Sequence, residues 1–315
     1  MIKYYSKQES GLAELAQPEK HCWINVYPPF NQENLKHLGA QYNIPFDYLI
    51  DSLDVDERPR FEREGDIELI VLKTPILNDV KTDIDAQYIT VPTGIILGRD
   101  AIVTISPYAN PVISSLITEP GKRFNPADHS AFVLRIFERN TRQFLRFLNE
   151  INFKRNKFEH ELYTSMRNED LIKLLNIEKS LVYFVTALRG NELLMMKIKR
   201  IDFLEISKKE NESDLLEDVI VDCGQALEMA NIHATILGSS MDAYASVISN
   251  NLNNVMKRLT SVTILLMVPT LVASFYGMNV SLPFASHGWA FLFTLIISIG
   301  LIGIIVTYFV RKRWF

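Results

Sequence analysis

The chain has 315 residues, 48% of them hydrophobic and 22% charged, with a formal net charge of −4 at pH 7. That balance, without any basic block interleaved with aromatics, sets nucleic-acid binding aside. Cys22 and Cys223 are too few and too far apart for a disulfide framework and lack metal-ligand neighbours at suitable spacing. Each is expected to be a buried small hydrophobe in a reducing compartment.

The average composition hides a split, because mixed, charge-rich sequence comes first and the apolar density is piled into roughly the last sixty residues. The first part is long enough to bury a core of its own. Met1–Ser10 has neither an apolar run nor a small-residue cleavage site, so no cleaved secretory signal is expected.

In chain order, residues 21–29 read as a short strand closed by Pro28 and Pro29, followed by a helix through Glu33–Leu38 that ends at Asn43-Ile44-Pro45. A second helix starts over Phe46–Leu53. After Arg58-Pro59-Arg60 come strand-like runs at Ile67–Lys73, Ala86–Val91, Gly94–Leu97 and Ala101–Ile105, with Gly98-Arg99-Asp100 as a tight turn. Strands and helices mixed at this spacing predict an α/β domain with a mixed sheet over residues 1–126.

Residues 127–206 change to long amphipathic helix, with Phe132, Ile136, Phe144, Leu145, Phe147 and Leu148 on one face and Arg135, Arg139, Arg142 and Arg146 on the other. The break at Met166-Arg167-Asn168 offers Asn168 as an N-cap, with Glu169 and Asp170 where the helix dipole favours acids. A second helix through Leu171, Leu174, Leu181, Phe184 and Leu188 completes an antiparallel hairpin. Residues 207–213 read as a polar linker, and a single helix is expected from Asp214 to Tyr276, tolerating Gly224 and Gly238.

Leu259–Tyr276 and Trp289–Val310 carry no formal charge, and at ~1.5 Å per residue they reach roughly 27 and 33 Å, enough to cross a bilayer. The membrane part is therefore all-α. Lys257 and Arg258 precede the first span and Arg311, Lys312 and Arg313 follow the second, whereas 277–288 contains no Lys or Arg. Positive charge stays inside, so both termini, including the basic tail 311–315, are expected in the cytoplasm, with 277–288 outside a cell membrane. Trp289 and Trp314 bracket the second span as interfacial anchors.

Two adjacent stripes run along the long helix. Met241, Ala245, Ile248, Leu252, Val255 and Leu259 repeat at steps of four and three, the apolar seam of a coiled coil. One residue on, Asp242, Ser246, Ser249, Asn253, Met256, Thr260, Thr263, Met267, Thr270 and Ser274 keep the same alternation into the span. Hydroxyls in a lone membrane helix can simply bond the carbonyl one turn back. An unbroken polar register is better explained by several parallel copies packed through the apolar seam, their polar stripes lining a shared axis, which is a pore.

Tyr276-Gly277-Met278-Asn279 lies between the two spans, and this placement, with the basic tail, resembles the CorA family of divalent-cation transporters. Similarity continues through Asn253-Asn254-Val255-Met256-Lys257 and Leu259-Thr260, and more faintly through Arg58-Pro59 and Ile70–Lys73. The resemblance implies a homopentameric funnel with an outer ring of second spans, and a transporter rather than an enzyme. It implies Mg²⁺ as usual cargo and Co²⁺ or Ni²⁺ as lesser ones, with no organic cofactor. It also implies pore-facing roles for Asn253, Met256, Thr260, Thr263, Met267, Thr270 and Asn279.

The chemistry is consistent with that role. Mg²⁺ sheds water reluctantly, so Gly277, Met278 and Asn279 are expected to form a selectivity mouth in which a ring of Asn279 amide oxygens grips the hydrated ion. Gly277 would end the helix in a conformation open to glycine. Met256, Leu259 and Met267 would form apolar constrictions, and Thr263 and Thr270 would hydrate the passage. The membrane potential gives a divalent ion roughly 4.6 kcal/mol per 100 mV. A regulatory Mg²⁺ held between subunits is implied by the family, with Asp218 as one ligand and the loop carrying Asp79, Asp83 and Asp85 as a partner. Residues 280–288 contain no acid, unlike the outer loop of many members, and His287 could favour a softer ion such as Zn²⁺. A membrane-tethered sensor or scaffold is the second reading, and it predicts no polar stripe through the first span.

Overall fold

The apolar runs near the middle of the soluble sequence become the centre of a seven-stranded sheet in the computed structural model, which describes residues 1–8, 11–79, 85–118, 125–165, 168–278 and 288–312. The strands are β1 Ile2–Gln8, β2 Gly11–Leu15, β3 Cys22–Val26, β4 Arg60–Glu64, β5 Ile67–Leu77, β6 Tyr88–Leu97 and β7 Ala101–Ile105, in the order β2-β1-β3-β7-β6-β5-β4. Only β3 and β7 are parallel neighbours; the other pairs run antiparallel. Every residue of β3, β6 and β7 is buried, which is why apolar residues occur on both faces of these strands instead of alternating with exposed polar ones.

Alternation along β3 sorts the two faces. Cys22, Ile24 and Val26 join Leu35 and Leu38 of α1 (Gln32–Tyr42) and Tyr48 and Leu49 of α2 (Phe46–Asp51) in one core cluster. Trp23 points the other way and meets Phe132 of α4 (His129–Ser165) edge-on at 5.3 Å. Tyr88 of β6 packs on Phe147 of α4 and Phe184 of α5 (Asn168–Arg200). The pairs Phe144–Phe184 and Phe158–Lys173 show that α4 and α5 run antiparallel. A shorter helix, α3 (Pro111–Thr118), packs with α4.

Four elements escaped the sequence pattern. β1, β2 and β4 lie at or next to the sheet edges, and β4 is Arg-Phe-Glu-Arg-Glu with no buried residue, so neither alternation nor apolarity marks it. α3 is set by Asn110, whose Oδ1 accepts from the amides of Val112 and Ile113. The two runs 86–91 and 94–97 are one strand that carries Pro92, tolerated because pairing to β7 begins only at Gly94.

β4 reaches along β5 only as far as Val71, opposite Arg60, so the amide and carbonyl of Lys73 lie beyond its end. Asn191 of α5 takes that place: its Nδ2 donates to the Lys73 carbonyl at 2.8 Å and its Oδ1 accepts from the Lys73 amide at 2.9 Å, with Asn140 Nδ2 adding a third bond. Asn191→Ala is therefore expected to cost about 1–3 kcal/mol by stranding a buried amide. Urea unfolding of the full chain measures it, and a loss below ~0.5 kcal/mol would mean that water replaces the side chain.

The stretch expected as a linker is instead structured. A 3₁₀ turn covers Phe203–Lys208 and α6 starts at Glu210, running to Tyr276. Its polar residues bond one another rather than solvent alone: Asp202 accepts from the Ser207 amide and hydroxyl, and Lys209 Nζ reaches Asp128, Ser130 and Glu212. Gly224 permits close packing, since a Cβ there would sit 3.0 Å from Glu192 Oε1. Both cysteines are free and buried, and burial pushes the Cys223 thiol up to about 12. The chain forms two compact units, Met1–Gly238 and Ser239–Phe315, the second comprising the rest of α6 and α7 (Ala290–Arg311).

Candidate ion pathway

The end of α6 and the whole of α7 contain 18-residue windows of mean hydropathy 1.8 and 2.6, of which only 11% and 6% are buried. Core helices of a soluble body would be largely covered, so these apolar surfaces need another solvent. Within this unit Ser261 and Val272 of α6 are buried, with Ile264, Leu265, Val268 and Tyr276 partly so, and Tyr276 meets Phe293 of α7 at 6.4 Å. Successive helix residues turn by roughly 100°, so positions two residues on from Ser261, Leu265, Val268 and Val272 lie nearly opposite. Those positions are Thr263, Met267, Thr270 and Ser274, all exposed, and they line a shallow groove along α6. The polar stripe thus occupies the face turned away from the buried one.

The hydroxyls are already committed in a useful way. Thr263 Oγ1 donates to the Leu259 carbonyl at 2.9 Å and Thr270 Oγ1 to the Leu266 carbonyl at 3.0 Å. A hydroxyl that spends its proton on the backbone presents only lone pairs outward, which suits the water hydrogens around a hydrated cation. The same bonds would form in a lone helix, so what distinguishes the stripe is its exposure and register.

Further down α6, Asp242, Asn253, Met256, Leu259 and Thr260 are also exposed, as are Ile248, Leu252 and Val255 of the apolar seam. Such a run of bare apolar side chains on a soluble stretch is what a partner helix would cover. Pro269 was not singled out from the sequence, although it sits inside the first span. It lacks an amide hydrogen, so the Leu265 carbonyl loses its usual helical partner on the partly buried side.

At the outer end the structure corrects one expectation. α6 stops at Tyr276, but the Gly277 amide still bonds Ala273 O at 2.9 Å, and Gly65 is the one described glycine with positive φ. Gly277 therefore ends the helix without a left-handed turn, and a Cβ on it would crowd Ala273 O at 3.3 Å. Its lack of a side chain is useful for space rather than for torsion. Met278 is exposed, while Asn279, the loop to His287, and Arg313 and Trp314 of the tail lie outside the described residues, as does Asp83.

Of the proposed regulatory acids, the described ones, Asp218, Asp79 and Asp85, do not come together as a metal-holding group. Asp218 is exposed on α6, Asp79 is exposed after β5, and the Asp85 carboxylate pairs with Lys179 at 3.0 Å. Among the described residues no three His, Cys, Asp or Glu side chains come together to hold a metal.

Comparison with known proteins bears directly on these two helices and the body before them. Residues 18–313 match the model of the CorA-like Mg²⁺ transporter proteins. The chain belongs to the CorA family. The cobalt/magnesium transport protein CorA of Methanocaldococcus jannaschii is 30% identical over 297 residues, 93% of this chain and 90% of that protein. The cobalt/magnesium transport protein CorA of Thermotoga maritima is 23% identical over 298 residues, 93% of this chain and 83% of its own. The complete structure of the Methanocaldococcus CorA superposes with a TM-score of 0.81 at 27% identity, covering 100% of this chain and 99% of that one. The expected CorA architecture, an α/β soluble domain followed by a long helix and two apolar C-terminal helices, is thereby established.

Proposed function

We propose that this CorA-family chain carries divalent cations across the cell membrane, Mg²⁺ first and Co²⁺ or Ni²⁺ less readily, as one subunit of a homopentamer. In this reading residues 1–126 and 127–206 are cytoplasmic and 214–276 supply the stalk and pore helix. The segment 277–288 is the outer mouth, 289–310 the outer span, and 311–315 a cytoplasmic tail beside the headgroups. The single observation that carries it is the stripe Thr263, Met267, Thr270 and Ser274 on the exposed face of a membrane-length helix, in a chain that belongs to this family. The ion moves down its electrochemical gradient, held with its water shell at the mouth by Asn279 and passed along hydroxyl lone pairs, and no organic cofactor takes part.

Uptake into proteoliposomes with Mg²⁺, Co²⁺, Ni²⁺ and Zn²⁺ compared tests the cargo. Mg²⁺ flux should exceed the others, and Asn279→Ala should lower it roughly tenfold or more, since several weak bonds of ~1 kcal/mol to the hydrated ion go at once. A Zn²⁺ preference would reassign the cargo to the softer ion, and no flux of any divalent would favour a scaffold.

Cytoplasmic Mg²⁺ closes the pore in this reading by bridging subunits, with Asp218 from one and the acidic loop at Asp79, Asp83 and Asp85 from the next. Asp218→Lys should then leave transport at least several-fold less sensitive to internal Mg²⁺, because a cation replaces a ligand. Unchanged inhibition would remove Asp218 from the site.

A further inference from the structure

The one parallel pair in the sheet marks a place that ion transport does not use. At its carboxyl end β3 leads to α1 on one face, and β7 leads to α3, which packs with α4 on the other. In open α/β sheets the crevice beyond such diverging strands is where ligands bind. Here it is a cavity of about 200 Å³, lined among others by Lys3, Asn25, Tyr27, Tyr108, Asn110 and Ser114.

The orientation of Asn25 follows from its neighbours. Trp23 Nε1, which can only donate, bonds Thr104 Oγ1 at 2.8 Å, so the Thr104 hydroxyl must send its own proton elsewhere. It donates to Asn25 Oδ1 at 3.0 Å. The Asn25 NH₂ is left without an acceptor among the described residues, on a side chain of a residue only 9% exposed that lines the cavity. That NH₂ opens on the cavity, where a ligand oxygen or a water can accept from it.

Asn110 Oδ1 is taken by the Val112 and Ile113 amides, and the Ser106 hydroxyl donates to Pro92 O. The groups there that favour an anion are the Asn25 NH₂, the Lys3 ammonium at the rim, which is paired with Glu14 at 2.9 Å, and the positive end of the α3 dipole. The walls between them are Tyr27, Tyr108, Ile105 and Ile113.

We infer that this crevice binds a small organic anion, a carboxylate or phosphate monoester on an apolar body of about phenyl size, with its charged end on Asn25 and Lys3. The cavity has space for roughly seven water-sized groups, below the range of drug-sized sites, so larger nucleotides are excluded. This site is independent of the transport reading, and either can fail alone.

Calorimetric titration of the full chain in lipid nanodiscs with benzoate, phenyl phosphate and inorganic phosphate tests it, against empty nanodiscs. One molecule of benzoate or phenyl phosphate should bind per chain, the tighter of the two naming the headgroup. Asn25→Asp, which keeps the Thr104 bond but replaces the donor by an anion, should weaken binding tenfold or more. Ser114→Glu should do the same from an exposed helix position where an acid does not disturb folding. No binding of either organic anion by the native chain at about 10 mM would overturn the inference, as would undiminished binding in Ser114→Glu. Inorganic phosphate binding as tightly as phenyl phosphate would overturn the apolar half of the site.

Discussion

Thr270→Lys is expected to abolish divalent-cation uptake, by on the order of a thousandfold, while the protein still inserts and assembles. Thr270 is exposed on the face of α6 opposite Val272, and its hydroxyl proton is committed to Leu266 O, so only oxygen lone pairs point outward. A lysine there puts one ammonium per subunit beside the proposed axis. At ~8 Å from a divalent ion, each costs about 1 kcal/mol even at the dielectric of water, and five together about 5 kcal/mol. The true cost in a narrow passage is larger, because protein and lipid screen less than water.

Thr270→Ser, which keeps the hydroxyl, should retain most of the flux, and light scattering of the purified assembly separates a blocked pore from a broken one. If Thr270→Lys transported Mg²⁺ at the native rate from an intact oligomer, the stripe would face something other than the ion. The side chain would then be paying ~3 kcal/mol to sit toward lipid, which would itself show as poor insertion.

How far the sequence carries depends on where each feature's determinants lie. β7 was readable to the residue because all five of its side chains are buried, so its composition reports its surroundings. The stripe on α6 was readable because a helix repeats its faces at a fixed period and the register never breaks. β4 was not, since an exposed Arg-Phe-Glu-Arg-Glu looks like any loop until β5 pairs with it. The junction at 207–213 failed for a related reason: Lys209 is held by Asp128 and Ser130, about eighty residues away in sequence, so its polarity looked like solvation. The clip of Asn191 on Lys73 joins residues 118 apart, beyond any local pattern. Gly277 misled because the residue type advertises a left-handed turn, whereas its actual use here is the absence of a Cβ near Ala273 O. The regulatory acids stay proposals because a site shared between subunits has no signature within one chain.

Gly94→Ala should be the most damaging single methyl in the soluble body. Gly94 lies in β6 between β5 and β7, where α2 ends over the sheet, and a Cβ built on it would come 2.0 Å from Ser52 Oγ, 2.5 Å from Ser52 Cβ and 3.1 Å from Ile105 Cγ2. None of these can give way easily. Ser52 is fully buried and its hydroxyl is tied to Tyr48 O at 2.7 Å, while Ile105 is part of the core between β7 and α1. Relief therefore requires α2 to lift from the sheet, exposing Leu49 and Tyr48. Overpacking of this kind costs about 3 kcal/mol, roughly 6–12 °C in melting temperature for a domain of this size. The second change Ser52→Gly removes both short contacts and should restore most of the loss, which a general intolerance of β6 to substitution would not allow. Transport per folded assembly should be unchanged, because β6 belongs to the first unit and the residues proposed to line the pore belong to the second. A melting temperature within about 1 °C of the native protein would mean that the sheet and α2 are further apart than this packing requires.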